Sequence, residues 1–312
     1  MNLKIYDPRD FPTYLPKLSE LYDKLLSGGK GFRAHLVSQT CYALSAPDSL
    51  THLLAQTVEF IHNASLLHDD LVDRSHFRRG KPAAWVEYGP EYAVLAGDYL
   101  LARVMVNLSA FGNIRLVHYT AEVISDLLEG EWLQDSLIHD FLVREEDLAR
   151  VHQLKTASLF KWCFRAPFYA QNVEDKSLHD LLEEMGAILG SLFQRSDDLL
   201  DFDVRNHEGK AVLGDLKTGY LNSFGAFALR AFDESTKERA KRCQSLAEFQ
   251  ELVGGRAKFD QLVQSFDQDS EVLIQRYQAA VAALNQHYSS RFSSDWLGFL
   301  HKLPDYLYWR RA

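Results

Sequence analysis

Apolar positions recur at three- and four-residue spacing along most of the chain. The stretch LTHLLAQTVEFIHNASLLHDDLVD keeps this spacing over several turns. So do EYAVLAGDYLLARVMVNLSAF, LVHYTAEVISDLLEGEWLQDSL and HDLLEEMGAILGSLFQRSDDLLDF. Such spacing lines one side of an α-helix. DSEVLIQRYQAAVAALNQHY reads as a further amphipathic helix near the C-terminal end. No segment sustains period-two alternation with hairpin turns, so strands are expected to be rare. The helical pattern breaks at 26–31, 75–82, 171–176 and 205–219, and no linker-like stretch divides the chain. The pattern predicts an all-α fold, residues 1–312 forming a single large helical domain of roughly ten or more helices.

Two acidic clusters interrupt the apolar stripes. Asp69-Asp70-Leu71-Val72-Asp73 and Asp197-Asp198-Leu199-Leu200-Asp201 are both D-D-x-x-D. Residues four apart share a helix face, so Asp69 projects with Asp73 and Asp197 with Asp201. Clustered carboxylates repel and resist ionising unless cations neutralise them. Hard oxygens suit Mg²⁺, commonly held by a few carboxylates together with water and substrate phosphates. A single such cluster reads as a solvated helix end; two copies with cationic companions read as a site for a diphosphate-bearing substrate.

Those companions are near in sequence. Arg78-Arg79-Gly80-Lys81-Pro82 follows the first cluster, and guanidinium forks match phosphate oxygens. Gly28-Gly29-Lys30-Gly31-Phe32-Arg33 precedes the first long helix, where glycines let backbone N–H groups approach an anion. This is not a P-loop. Lys155-Thr156 lies in the otherwise apolar HQLKTASLF, where a lysine must snorkel or find an anion. His62 sits two turns before Asp69, on a similar face. Glu129, Glu131 and Gln134 read equally as site partners and as surface polars.

Composition narrows the partners. Of 312 residues, 46% are hydrophobic, enough for a core, and the net charge of −9 argues against nucleic acid. An anionic substrate must then be drawn by local cations. Cys41, Cys163 and Cys243 form no C-x-x-C pair, as expected of reduced thiols in the cytoplasm. The first residues lack the apolar core of a secretory signal, and no apolar run approaches the roughly 18 residues of a span. A soluble protein without stable membrane insertion is expected.

Taken together, GGKxxR, IHxASLLHDDxxD, RRGKPA, AGDYLLA, EGEWLQ, KTASLF and FQxxDDxxDF resemble the trans-isoprenyl diphosphate synthases, the polyprenyl synthetase family, over nearly the whole chain. The resemblance implies the isoprenoid-synthase fold, with both Asp motifs facing a central cavity. It implies head-to-tail (1′-4) condensation of isopentenyl diphosphate with an allylic diphosphate, and a homodimer. Asp69, Asp73 and Asp197 would bind Mg²⁺, three ions per active site, with Asp70, Asp198 and Asp201 in support. Arg78, Lys155 and Lys210 would hold the allylic diphosphate, with Thr156 a further substrate-binding residue. Lys30, Arg33, His62 and Arg79 would hold isopentenyl diphosphate, and Gln194 would lie near the reacting carbons.

The chain departs from the family pattern in three places. Gly31 and Ala34 replace an Arg and a Pro, and Tyr220 stands where a later Lys is expected, followed by Asn222 and Phe224 in place of Thr and Pro. Lys217 is a candidate for the missing charge. Product length is read from Ala64 and Ser65, one turn before the first motif, where short-chain members place an aromatic ring. Small residues there predict a tunnel open at that level and a medium or long product, with Leu101, Met105 and Leu108 as deeper stops. The rival readings are a geranylgeranyl or farnesyl diphosphate synthase, a silent subunit of a heteromeric synthase, and a terpene cyclase.

Overall fold

The computed structural model describes residues 10–26, 31–78, 80–203, 212–288 and 291–309. They form α1 (Pro16–Leu26), α2 (Phe32–Ala43), α3 (Asp48–Val72), α4 (Ala84–Tyr88), α5 (Pro90–Phe111), α6 (Ile114–Ser136) and α7 (Glu145–Val151). A π-helical turn, His152–Ala157, leads into α8 (Ser158–Ala170) and α9 (Lys176–Leu200). Then follow α10 (Gly214–Thr218), α11 (Ser223–Leu229), α12 (Glu234–Ala240), α13 (Leu246–Leu252), α14 (Arg256–Tyr288) and α15 (Ser294–Tyr308). The fold is all-α. Its one strand pairing among the described residues is a two-residue hairpin, Phe77–Arg78 with Lys81–Pro82, in the segment expected to be a loop. A second difference is α10, inside the break expected at 205–219. The amphipathic stretch near the C-terminal end belongs to the longer α14, and α15 follows it.

The described residues gather into two compact units. The first takes in residues among 1–125, 159–183 and 290–296. Here α3 packs between α2 and α5. Leu54, Val58 and Ile61 form the apolar stripe that the spacing predicted, and all are buried. α3 also buries Gln56, Glu59, Asn63 and Asp70, an unusual polar load for a core helix. α5 turns Ala93, Ala96, Gly97, Leu100, Val104 and Leu108 inward. A Cβ on Gly97 would lie 2.3 Å from the His68 ring, so glycine lets α5 close over the residue beside Asp69. α5 is also the one described helix long and apolar enough to cross a bilayer, contrary to the expectation that no such run exists. One of its sides is packed in the protein core.

The second unit takes in residues among 126–158, 184–289 and 297–312. Its core is aromatic: Phe224 meets Phe202, Phe259 and Phe266 edge to face, with centroids 4.9, 5.7 and 5.4 Å away. Such contacts add to area burial. Three short helices here, α11, α12 and α13, start on side-chain caps: Asn222, Asp233 and Ser245 each accept a backbone N–H of the following turn. The end of α9, with the second acidic cluster, lies on this core through Leu199 and Phe202.

Candidate functional site

The first acidic cluster ends α3. Asp69 is partly exposed and Asp73 exposed, whereas Asp70 is buried. The hairpin turns Arg78 back onto Asp70: Nε donates to Oδ1 at 2.9 Å, and Nη2 donates to the same oxygen. Trp85 Nε1 donates to the Ser75 carbonyl at 2.8 Å and holds the hairpin's base. Burial alone would lower the Arg78 pKa. The bond to Asp70 and the charges of Asp70, Asp69 and Asp73 outweigh it and hold the guanidinium above its ordinary value. Arg78, expected at the diphosphate, is thus ion-paired with an Asp of the metal motif.

In the same unit, Arg33 at the start of α2 meets His62 on α3, Nη1 to Nε2, at 3.3 Å. Its guanidinium lies 5.3 Å from the Phe160 ring centroid, within cation–π range. The structure thus brings together two of the residues expected to hold isopentenyl diphosphate. Lys30, Arg79 and Lys210 lie outside the described residues. Ala64 is fully buried, and Ser65 is partly exposed with its Oγ donating to the His62 carbonyl at 2.9 Å.

The second cluster ends α9 and is more heavily braced. Asp197 is partly exposed, while Asp198 and Asp201 are buried. Asp198 Oδ1 accepts from Gln194 Nε2 at 2.8 Å. Its Oδ2 lies 3.3 Å from His152 Nε2 and accepts from Ser223 N at 3.0 Å and Ser223 Oγ at 2.6 Å. Burial would raise the Asp198 pKa. The bond and charge of His152, with the Ser223 and Gln194 bonds, outweigh it and hold the carboxyl below its usual range. Asp201 Oδ1 accepts from the backbone N–H of Gly214 at 2.7 Å. Asn222, a departure from the family pattern, spans this region. Its Nδ2 donates to the Asp198 carbonyl at 3.1 Å and to Asp215 Oδ2 at 3.0 Å.

Lys155 and Thr156 stand on the π-helical turn, not on the regular helix that HQLKTASLF suggested. Such bulges recur at functional sites because they re-aim side chains. Two glycines let helices approach this turn closely. A Cβ on Gly130 of α6 would lie 2.6 Å from Lys155 N, and one on Gly190 of α9 would lie 2.3 Å from Ala157 Cα. Lys155 forms an ion pair with Glu131, and Thr156 Oγ1 donates to Gln194 Oε1 at 2.9 Å. Glu131 is therefore a partner of Lys155, while Glu129 is exposed. Tyr220 is partly buried. Burial, and then the charges of Asp198, Asp215 and Glu131, raise its phenol well above the ordinary value, so it stays neutral.

Among the described residues, no three or more His, Cys, Asp or Glu side chains are arranged to hold a metal by protein ligands alone. Mg²⁺ is commonly held by one or two carboxylates, with its remaining positions taken by water and phosphate oxygens. Asp73 is exposed and Asp69 and Asp197 partly exposed, while Asp70, Asp198 and Asp201 are buried with hydrogen bonds to the protein. Sequence reasoning missed Glu59, His152 and Ser223. A lone His or Ser carries no local signal; only its contact across the fold marks it.

The polyprenyl synthetase family model matches residues 15–257. Octaprenyl diphosphate synthase of Escherichia coli K12 is 35% identical over 196 residues, 62% of this chain and 59% of that protein. Solanesyl-diphosphate synthase 2, chloroplastic, of Oryza sativa subsp. japonica is 34% identical over 236 residues, 73% of this chain and 58% of that one. The chain thus spans about three fifths of the length of these curated relatives. The crystal structure of a decaprenyl diphosphate synthase from Rhodobacter capsulatus superposes with a TM-score of 0.84 at 27% identity, covering 97% of this chain and 92% of that one. Motifs, helical fold and family match agree, and the chain belongs to the polyprenyl synthetase family.

Proposed function

We propose that the chain is a Mg²⁺-dependent prenyltransferase that condenses isopentenyl diphosphate head-to-tail with an allylic diphosphate, giving a linear all-trans polyprenyl diphosphate of medium or long chain. The observation that carries this reading is the division within the acidic motifs. Asp73 is exposed and Asp69 and Asp197 partly exposed, and the other three Asp side chains, buried, brace the helix ends that bear them. The names of the relatives, octaprenyl, solanesyl and decaprenyl synthases, support the longer product.

In this reading Asp69, Asp73 and Asp197 hold Mg²⁺, three ions at full occupancy. Bound Mg²⁺ neutralises the allylic diphosphate and makes it a leaving group. Arg78, Lys155, Thr156 and Lys210 orient that diphosphate, while Lys30, Arg33, His62 and Arg79 hold isopentenyl diphosphate. The allylic C1–O bond breaks, C4 of the homoallylic alkene bonds to C1, and a proton leaves C2 for the released diphosphate. Gln194, held by Thr156 and Asp198, borders the reacting carbons. The small, partly exposed Ser65 leaves room for a growing chain, while Ala64 is enclosed by packing.

The chain acts as a homodimer. Leu95, Ala102 and Val106 are exposed at helical spacing on α5, and the neighbouring Val94 is exposed too, an apolar surface that a second copy would cover. Three free, buried cysteines fit a reducing compartment, the cytoplasm.

The test is incubation of the purified chain with Mg²⁺, labelled isopentenyl diphosphate and, separately, dimethylallyl, geranyl and farnesyl diphosphates, with products dephosphorylated and sized. A ladder beyond C20 is expected. A stop at C15 or C20 keeps the chemistry and removes the open-tunnel reading. A cyclic hydrocarbon, or no incorporation by folded protein, overturns the proposal.

A further inference from the structure

Glu59 is a carboxylate placed in the middle of a core helix, 8% exposed, among Leu54, Val58, Ile61 and other buried apolar side chains. A buried carboxylate is costly unless hydrogen bonds compensate it. Glu59 Oε1 accepts the backbone N–H of Ala34 at 3.1 Å. That N–H belongs to the first turn of α2, whose N-cap is Gly31, in left-handed conformation at φ 57° and with no side chain to cap the turn. The carboxylate of α3 thus stands in for the missing cap and favours the positive end of α2.

The residue carried by that turn is Arg33, and the turn is gripped elsewhere too. Cys163 Sγ donates to the Arg33 carbonyl at 3.8 Å, and the Phe160 ring lies beside the guanidinium. Glu59 and His62 are three residues apart on α3, hence on one face. That face presents the carboxylate to the backbone beside Arg33 and the imidazole to the Arg33 guanidinium. One stretch of α3 therefore sets both the start of α2 and the direction of its cation.

We infer that Glu59 is a positioning residue, fixing the first turn of α2 so that Arg33 and His62 converge on one diphosphate. The inference rests on the proposed function, which assigns this pair to isopentenyl diphosphate. It gives Glu59 a role through the backbone, not through contact with substrate.

The test compares Glu59→Ala, Glu59→Asp and Glu59→Gln with the parent chain, measuring KM for isopentenyl diphosphate and for the allylic substrate separately, with thermal unfolding alongside. Alanine removes the acceptor. Aspartate keeps the charge but is one methylene too short to reach Ala34 N–H, while glutamine keeps the reach and an acceptor oxygen. Alanine and aspartate are expected to raise KM for isopentenyl diphosphate about tenfold, or about 1.4 kcal/mol. KM for the allylic substrate should stay within about twofold, and glutamine should stay near the parent for both. If alanine does not fold, the contrast between aspartate and glutamine decides. Lowered unfolding temperature with both KM values unchanged, or aspartate active where glutamine is not, overturns the inference. A parent chain that condenses nothing defeats the proposed function instead. Isothermal titration with inorganic diphosphate then reads the same contrast, and equal binding by aspartate and glutamine variants overturns the positioning role.

Discussion

His152 Nε2 lies 3.3 Å from Oδ2 of Asp198, with both side chains buried at the end of the second acidic motif. The contact joins the π-helical turn to α9 and helps hold the Asp198 carboxyl below its usual range. His152→Phe is expected to cost about 1–3 kcal/mol, the cost of leaving a buried polar group undercompensated. A carboxyl held below its unfolded value contributes stability above the ordinary carboxylate range and loses it as pH falls through the lowered value. Without His152 that value rises, so acid unfolding of the variant should begin at higher pH. Urea titrations across an acidic pH series check both.

The acidic residues should separate into two classes. If the proposed function holds, Asp69→Ala, Asp73→Ala and Asp197→Ala are expected to lose activity by on the order of 10²–10³-fold, because they would remove charge stabilisation at the leaving group. Asp201→Ala removes the acceptor of the Gly214 N–H and is expected to destabilise by about 1–3 kcal/mol. Parallel turnover and unfolding measurements separate the classes.

Gly130→Ala tests the close approach of α6 to the π-helical turn. Its Cβ would fall 2.6 Å from Lys155 N, backbone that cannot yield without moving the turn. A loss of about 1–3 kcal/mol is expected, as for other overpacked sites. KM for the allylic diphosphate should rise with it, since Lys155 and Thr156 ride on the turn.

Ser65→Phe is expected to shorten the product, because Ser65 is partly exposed beneath Asp69. Ala64→Phe is expected to destabilise by about 1–3 kcal/mol, because Ala64 is fully enclosed. Product sizing and thermal unfolding of the two variants distinguish tunnel wall from packing.

Tyr220→Lys should be tolerated, since the new ammonium would face Glu131, Asp198 and Asp215, whose charges act on the phenol now. A cation there should lower KM for the allylic diphosphate, most visibly at limiting Mg²⁺. Kinetics over a Mg²⁺ series check this.

Much of this protein is legible in one dimension. The helices are visible because a 3.6-residue period writes the buried side of α3 directly into Leu54, Val58 and Ile61. The two acidic motifs are visible because residues four apart on a helix share a face whatever the tertiary fold. The tiny hairpin and α10 were not visible, being too short to carry a period.

The sequence by itself determined the helical class and both carboxylate clusters, with small side chains at Ala64 and Ser65, because these depend on local geometry and residue chemistry. Only the tertiary structure decided which donors the buried carboxylates meet. Asp70 goes to Arg78, Asp198 to His152 and Ser223, and Asp201 to the Gly214 N–H, while Glu59 reaches across to Ala34. Those choices depend on donors brought near by packing, and a buried carboxylate takes whichever donors the fold supplies because leaving it without them costs too much.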